Sequence, residues 1–156
     1  MAFRFQRQTD QRRLAIAEGI TVAFLPEIGT YLAANVTTVT LTLGTNLMLG
    51  RLPDTPDTCV AILESSGLAA VDAMGGSTLP AYTRPRAQVI VRAAAYADAS
   101  ALAEDIYKQM QKIDNESLSG VYYLRATGLQ SPFYLERDGQ ERAVFSCNYQ
   151  TLRVLT

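Results

Sequence analysis

The C-terminal part of the chain alternates apolar and polar residues on both sides of a short turn. In residues 142–154 (RAVFSCNYQTLRV), Phe145, Cys147 and Tyr149 fall on one side of an extended strand. Residues 132–137 (PFYLER) precede it, and the intervening Asp138-Gly139-Gln140 is a glycine-containing turn. Two such runs across such a turn predict a β-hairpin. The chain is therefore expected to build an antiparallel sheet around this hairpin.

Two other segments have the apolar spacing of helices. The first runs from Leu14 to Ala34, but Pro26 interrupts it and predicts either a kink or a second helix starting there. The second follows Asp98 or Ser100, either of which can cap a helix. Its apolar positions are spaced four, four and three, which predicts one buried stripe. That stripe consists of Leu102, Ile106, Met110 and Ile113.

The remaining segments are predicted from β-branched and apolar runs and from turn residues. The predicted strands are 46–52, 58–64, 88–96, 121–127, 132–137 and 142–154. The run 36–40 also favours extended structure, and 58–64 reads as a strand covered on both faces. Residues 65–86 are predicted to be a long loop. The fold class is therefore α+β, a mainly antiparallel sheet with helices packed on one face, plus extended loops.

Residues 1–13 are predicted to be a polar N-terminal arm preceding a single domain, 14–156. The arm carries Arg4, Arg7 and Arg12, and a solvated arm, or one that pairs with acidic neighbours, is favoured over nucleic-acid contact. It has no apolar core of a signal peptide. The apolar stretch from Leu14 is too interrupted to span a bilayer. We therefore expect a soluble protein, made in a cytoplasm, without a membrane partner.

The composition argues against catalysis. The chain has no histidine, which removes the commonest general base and the commonest metal ligand. Fourteen basic residues nearly balance fifteen acidic ones, which gives no overall electrostatic attraction for nucleic acid or an anionic membrane. Cys59 and Cys147 lack metal-ligand or disulfide-framework spacing and are predicted to be small buried hydrophobes. We expect no enzyme activity, no cofactor and no metal.

Two groups of charged residues still have more than one interpretation. Asp54 and Asp57 could form a carboxylate pair, but an aspartate beside a proline ordinarily hydrogen-bonds its own turn. Glu136, Asp138 and Glu141 crowd the hairpin turn together with Arg137 and Arg142. They are either a solvated turn with screened ion pairs of about 0–1 kcal/mol each, or an edge at which charges select a partner.

Three segments, taken in order and spacing, carry a family resemblance. The first is Leu52-Pro53-Asp54-Thr55-Pro56-Asp57 with the strand 59–64 after it. The second is 85–93 (PRAQVIVRA) with the helix that follows, and the third is the ending from Leu135 to Tyr149. Over residues 14–154 the chain resembles the bacteriophage minor capsid or tail-terminator (tail-completion) proteins.

The resemblance implies a structural role in a virion that is assembled in the host bacterial cytoplasm. Such proteins form hexameric rings that cap the tail tube protein and meet the head-tail connector or stopper. Genomic DNA passes through the lumen without sequence-specific binding. In such a ring, the candidate contact residues are Arg4, Arg7, Arg12, Pro53, Asp54, Pro56, Asp57, Gly75, Gly76, Glu136, Arg137 and Asp138.

Two alternatives remain open from the sequence. One is another part of the neck or tail: a head-closure stopper, an adaptor or a tube subunit. The other is a small enzyme or ligand-binding domain, which would require a pocket in which Asp54, Asp57 or Glu64 converge.

Overall fold

The computed structural model describes residues 24–71 and 82–154. Two helices and seven strands form in these residues. In chain order they are α1 (Phe24–Asn35), β1 (Leu47–Leu49), β2 (Cys59–Val71), β3 (Tyr82–Ala93), α2 (Tyr96–Gln111), β4 (Asp114–Leu118), β5 (Val121–Gly128), β6 (Phe133–Arg137) and β7 (Ala143–Val154). No helix in the described residues is long and apolar enough to cross a membrane.

The described strands form one sheet in the order β1-β2-β3-β7-β5-β4, with β6 also paired to β7. Strand β7 is central: β3 runs along one of its edges, whereas β6 and β5 share the other. The pair β1–β2 is parallel, and every other pair of these strands is antiparallel. The prediction of a mainly antiparallel α+β fold is confirmed.

Both helices cover one face of this sheet, and we call the opposite side the open face. Because cross-strand partners share a face, the register assigns each side chain to one side. The main core joins buried residues of both helices to the helix-covered face, including Ile62, Val89, Val91, Phe145 and Tyr149. The residues Cys59, Ala61 and Val144 are also buried but lie on the open face, outside this core.

The two cysteines lie on opposite faces of the sheet. Cys59 is on the open face and Cys147 on the helix-covered face, and both thiols are buried and free. Burial raises the pKa of both, because it disfavours the thiolate. The prediction that each behaves as a small buried hydrophobe is confirmed.

A buried polar cluster joins α1 to strands β5 and β7. Glu27 of α1 is 3% exposed, and Arg153 of β7 donates to its two carboxylate oxygens at 2.9 and 2.8 Å. The hydroxyl of Tyr123 on β5 also donates to Glu27. Burial raises the pKa of Tyr123, and the adjacent carboxylate adds to the effect. The cluster aligns the helix with β5 and β7 from within the core.

Several predicted boundaries were wrong. The predicted loop 65–86 contains the end of β2 and the beginning of β3, while residues 72–81 lie outside the described residues. Strand β4 was not predicted, and α2 begins two residues before Asp98 and has no side-chain cap. The segment 36–40 forms bends rather than a strand. Of the predicted helix 14–34, the described part begins at Phe24.

Asp105 on α2 holds the bend that follows α1. Its Oδ2 accepts hydrogen bonds from the backbone N–H groups of Thr37 and Thr38, at 3.0 and 2.9 Å, and from the Thr38 hydroxyl at 2.7 Å. Partial burial acts in the opposite direction, but these hydrogen bonds, with one from Gln109, lower the pKa of Asp105 to about 2. The carboxylate therefore contributes more to stability when it is ionised.

Replacing Asp105 with asparagine is expected to lower the free energy of unfolding by about 1–2 kcal/mol at neutral pH, after discounting for partial exposure. Because the folded pKa is depressed from 3.8 to about 2, the contribution is complete above about pH 4. It is lost as the pH falls through 2. Urea unfolding at pH 7 and near pH 2 checks this. The difference between the two proteins must shrink in acid; a constant difference would contradict the assignment.

Candidate functional site

Two buried arginines hold the turn-rich connector, Pro53–Asp57, against the open face. Arg92 on β3 is 3% exposed and donates to the carbonyl oxygens of Asp57, at 3.2 Å, and Pro56, at 2.6 Å. Arg142, just before β7, is 4% exposed and donates to the carbonyl oxygen of Asp54 at 2.5 Å. It also forms an ion pair with the Asp57 carboxylate at 3.1 Å. The connector is therefore fixed by side chains that lie far away in sequence.

The same Arg142 links the connector to the hairpin turn, residues 138–142, which we call the charged turn. Its Nε donates to Asp138 Oδ2 at 2.7 Å. The other oxygen of Asp138 accepts the backbone N–H groups of Gln140 and Arg142, both at 3.0 Å. Desolvation opposes the effect, but these hydrogen bonds lower the pKa of Asp138. One arginine thus joins two segments that both carry predicted contact residues.

Strand β6 forms an exposed edge next to the charged turn. It pairs with β7 along one edge and with no other described strand. All of its residues are exposed, and three consecutive ones, Phe133, Tyr134 and Leu135, are large and apolar. The ring of Tyr134 lies 5.5 Å from that of Tyr96 and 5.7 Å from that of Phe145. The remainder of this apolar surface has no cover within the described chain.

The structure brings some of the predicted contact residues together and leaves others apart. Asp54, Pro56, Asp57 and Asp138 meet around Arg92 and Arg142, and Pro53 begins the same connector. Glu136 and Arg137 lie on β6, and Arg137 donates to the carbonyl of Glu141 at 2.6 Å. The predicted residues Arg4, Arg7, Arg12, Gly75 and Gly76 lie outside the described residues.

The carboxylates required by the enzyme alternative do not converge. Asp54 and Asp57 lie at the connector beside Arg142, whereas Glu64 lines a groove of about 730 Å³ beside the start of α1. Neither aspartate lines that groove. In residues 24–71 and 82–154, no group of three or more histidine, cysteine, aspartate or glutamate residues could hold a metal ion.

Sequence reasoning missed Arg92 and Arg142 as the residues that organise the site. A signal was available for Arg92, which is the one charge in the apolar run 88–96 (QVIVRAAAY). An arginine inside a strand flanked by apolar residues either disrupts the strand or is buried with partners. The sequence does not identify those partners, because the connector is 35 or more positions away.

The comparisons agree with the resemblance. A family model described as "Bacteriophage tail terminator protein" matches residues 31–154. No curated protein sequence matches the chain. A chain of the solved "Virion of native gene transfer agent (GTA) particle" is similar with a TM-score of 0.62 and 16% identity, over 85% of this chain and 96% of that one. A second solved chain has a TM-score of 0.47 and 12% identity, over 81% of this chain and 94% of that one. The first of these shows a shared fold.

Proposed function

The chain belongs to the bacteriophage tail terminator family, and we propose on that basis that it forms a ring that caps the tail tube and joins the tail to the head-side connector. It is a tail structural protein. The ring is a homohexamer in the virion, assembled in the host cytoplasm, with the tube protein on one side and the connector or stopper on the other. Genomic DNA passes through it without sequence-specific binding.

Apart from the family match, the exposed edge of β6 is the observation that supports this proposal. A strand edge with three exposed apolar residues and no protecting charge in its middle is an aggregation hazard for a free monomer. In a closed ring of heterologous contacts, every subunit buries this edge against its neighbour, so no such edge stays exposed. We therefore propose that β6, with Glu136 and Arg137, forms part of the contact between neighbouring subunits.

The connector and the charged turn support a second contact region. Asp54 and Asp57 are exposed, yet their backbone is anchored by buried arginines. An exposed segment held in one conformation loses little entropy when a partner binds. We propose that it faces a neighbouring subunit or the adjacent ring. Contacts from the arm, through Arg4, Arg7 and Arg12, and from Gly75 and Gly76 remain predictions.

Adding the purified protein to polymerising tube subunits is expected to stop tube growth and to place one ring at a tube end. Negative-stain images of the mixture, with native mass spectrometry of the protein alone, measure both properties. A tube subunit would instead extend the tubes, and a stopper or adaptor would bind connector rings but leave tube length unchanged. Monomers alone and no ring on the tubes would refute the proposal and reopen the ligand-binding alternative.

A further inference from the structure

Three arginines from strands β3 and β5 meet at one end of the open face. Arg86 of β3 is the cross-strand partner of Gln150 on β7, and Gln150 in turn pairs with Thr127 of β5. Arg84 lies two residues before Arg86 on β3, and Arg125 of β5 pairs with Leu152 of β7. We call Arg84, Arg86 and Arg125 the arginine patch.

The arginine patch borders a groove in the protein surface. Arg84 and Arg125 line one groove of about 260 Å³, together with Thr127 and Gln150. Arg86 donates to the Gln150 side chain at 3.1 Å, which holds its guanidinium beside that groove. Arg84 uses its Nε to bond the carbonyl of Ala69 at 2.7 Å, and no described acceptor engages its terminal nitrogens. Several N–H donors are thus gathered in one place.

The surroundings of the patch leave its positive charge largely uncompensated. The next open-face pair, Gln88 and Asn148, is neutral. The nearest carboxylate by register is Asp114 of β4, the cross-strand partner of Arg125, and no ion pair joins the two in the described chain.

We infer that the arginine patch contacts the phosphate backbone of double-stranded DNA and does not read its sequence. Guanidinium groups match phosphate oxygens in geometry and charge, and contacts to phosphate fix the position of a protein on a duplex without reading the bases. The inference rests on the proposed function, since it places this end of the open face toward the lumen through which DNA passes. Phosphate contacts without base contacts would let the duplex slide.

The test measures binding of the full-length protein to a short fluorescent duplex of random sequence, by anisotropy, over a range of salt concentrations. Replacing Arg84 and Arg125 with glutamine removes two phosphate contacts. It is expected to weaken binding at low salt and to reduce the slope of log K against log salt by about 1.8, so that the affinity difference from the wild-type protein shrinks roughly tenfold between about 50 and 200 mM salt. A second random sequence must give the same affinity as the first.

Two matched variants make the test specific. Lys108→Gln removes one positive charge from α2, on the helix-covered side, and is expected to leave the slope unchanged. Asp114→Asn removes the carboxylate beside Arg125 and is expected to tighten binding. The inference is overturned if the arginine and Lys108 variants lose the same amount of DNA affinity, or if the wild-type protein shows no measurable DNA binding. So does a loss of tube capping by the arginine variants with unchanged DNA affinity, which would assign the patch to an acidic protein surface.

The oligomeric state, measured on the same samples by light scattering, separates this inference from the proposed function. Rings that cap tubes but bind DNA independently of the arginines refute the patch alone. Monomers that bind DNA through the arginines refute the ring and keep the patch. Circular dichroism melting of each variant confirms that loss of binding is not loss of fold.

Discussion

Replacing Phe133 and Leu135 together with lysine is expected to leave a folded monomer that no longer forms rings or caps tubes. These side chains are 40% and 45% exposed in the single chain, so a lysine at either position remains solvated in the monomer. In a closed ring the same ammonium groups would be buried at a strand edge without partners, at a cost of several kcal/mol each. Lysine on an edge strand is also how natural proteins prevent edge-to-edge pairing. A shift of more than a hundredfold toward monomer follows.

The matched control places lysine at an equally exposed aromatic position elsewhere. Tyr122 on β5 is 42% exposed, and its hydroxyl donates to the exposed Asn115 side chain. Tyr122→Lys is expected to retain the oligomeric state and tube capping. Native mass spectrometry and negative-stain images with tube subunits measure the two properties. If the Phe133 and Leu135 double variant still forms wild-type rings, β6 is not a subunit contact.

Local patterns in the sequence predict part of this fold well. The β6–β7 hairpin follows from period-two alternation on both sides of a glycine turn, and the structure forms it with Tyr134 opposite Phe145. The α2 stripe likewise buries Leu102, Ile106 and Met110. In these cases the information that determines the element lies within it, so reading a dozen residues is enough.

The end of β2 shows where local reading fails. Residues 65–71 (SSGLAAV) are small, mostly exposed and not alternating, so they resemble a loop. They are a strand because β3 pairs with them, with irregularities in register on both sides of Leu68. Strand β4 (DNESL) is similar: it has no apolar alternation and exists because β5 provides the partner. Pairing between distant segments is not visible in a local pattern.

The arrangement of the connector and the charged turn around Arg92 and Arg142 does not follow from the sequence. Two prolines in residues 53–57 indicate a segment that cannot continue a sheet ladder, and the structure has no strand there. Arg92 and Arg142 hold this segment in place. The hydrogen bond from Arg142 to the carbonyl of Asp54 spans 88 positions of the sequence. The structure buries Arg92 and Arg142 with partners and brings Arg84, Arg86 and Arg125 together on the open face.

Replacing Arg92 with methionine is expected to lower the free energy of unfolding by about 1–3 kcal/mol, because methionine fills the space but cannot donate to the two carbonyl groups of the connector that the guanidinium holds. Those carbonyls belong to Pro56 and Asp57. The free energy of unfolding of Arg92→Lys is expected to lie between those of the wild-type protein and Arg92→Met. One ammonium group cannot reproduce the geometry of a planar guanidinium that reaches both oxygens. Denaturant unfolding measures the change, with the exposed Arg51→Met as the control that should stay within about 0.5 kcal/mol.

The location of the damage distinguishes this prediction from general destabilisation. If Arg92 acts by holding the connector, hydrogen exchange of the backbone amides around Asp57 accelerates in the variant, while that of the β3–β7 ladder changes only with global stability. Uniform acceleration across the sheet would instead make Arg92 an ordinary core residue.

The same variant also separates two routes to failed assembly. The β6 lysines remove a contact from a rigid protein, whereas Arg92→Met leaves β6 intact and loosens the adjoining connector. Loss of capping in this variant, with rings still formed, would assign the connector to the contact with the neighbouring ring.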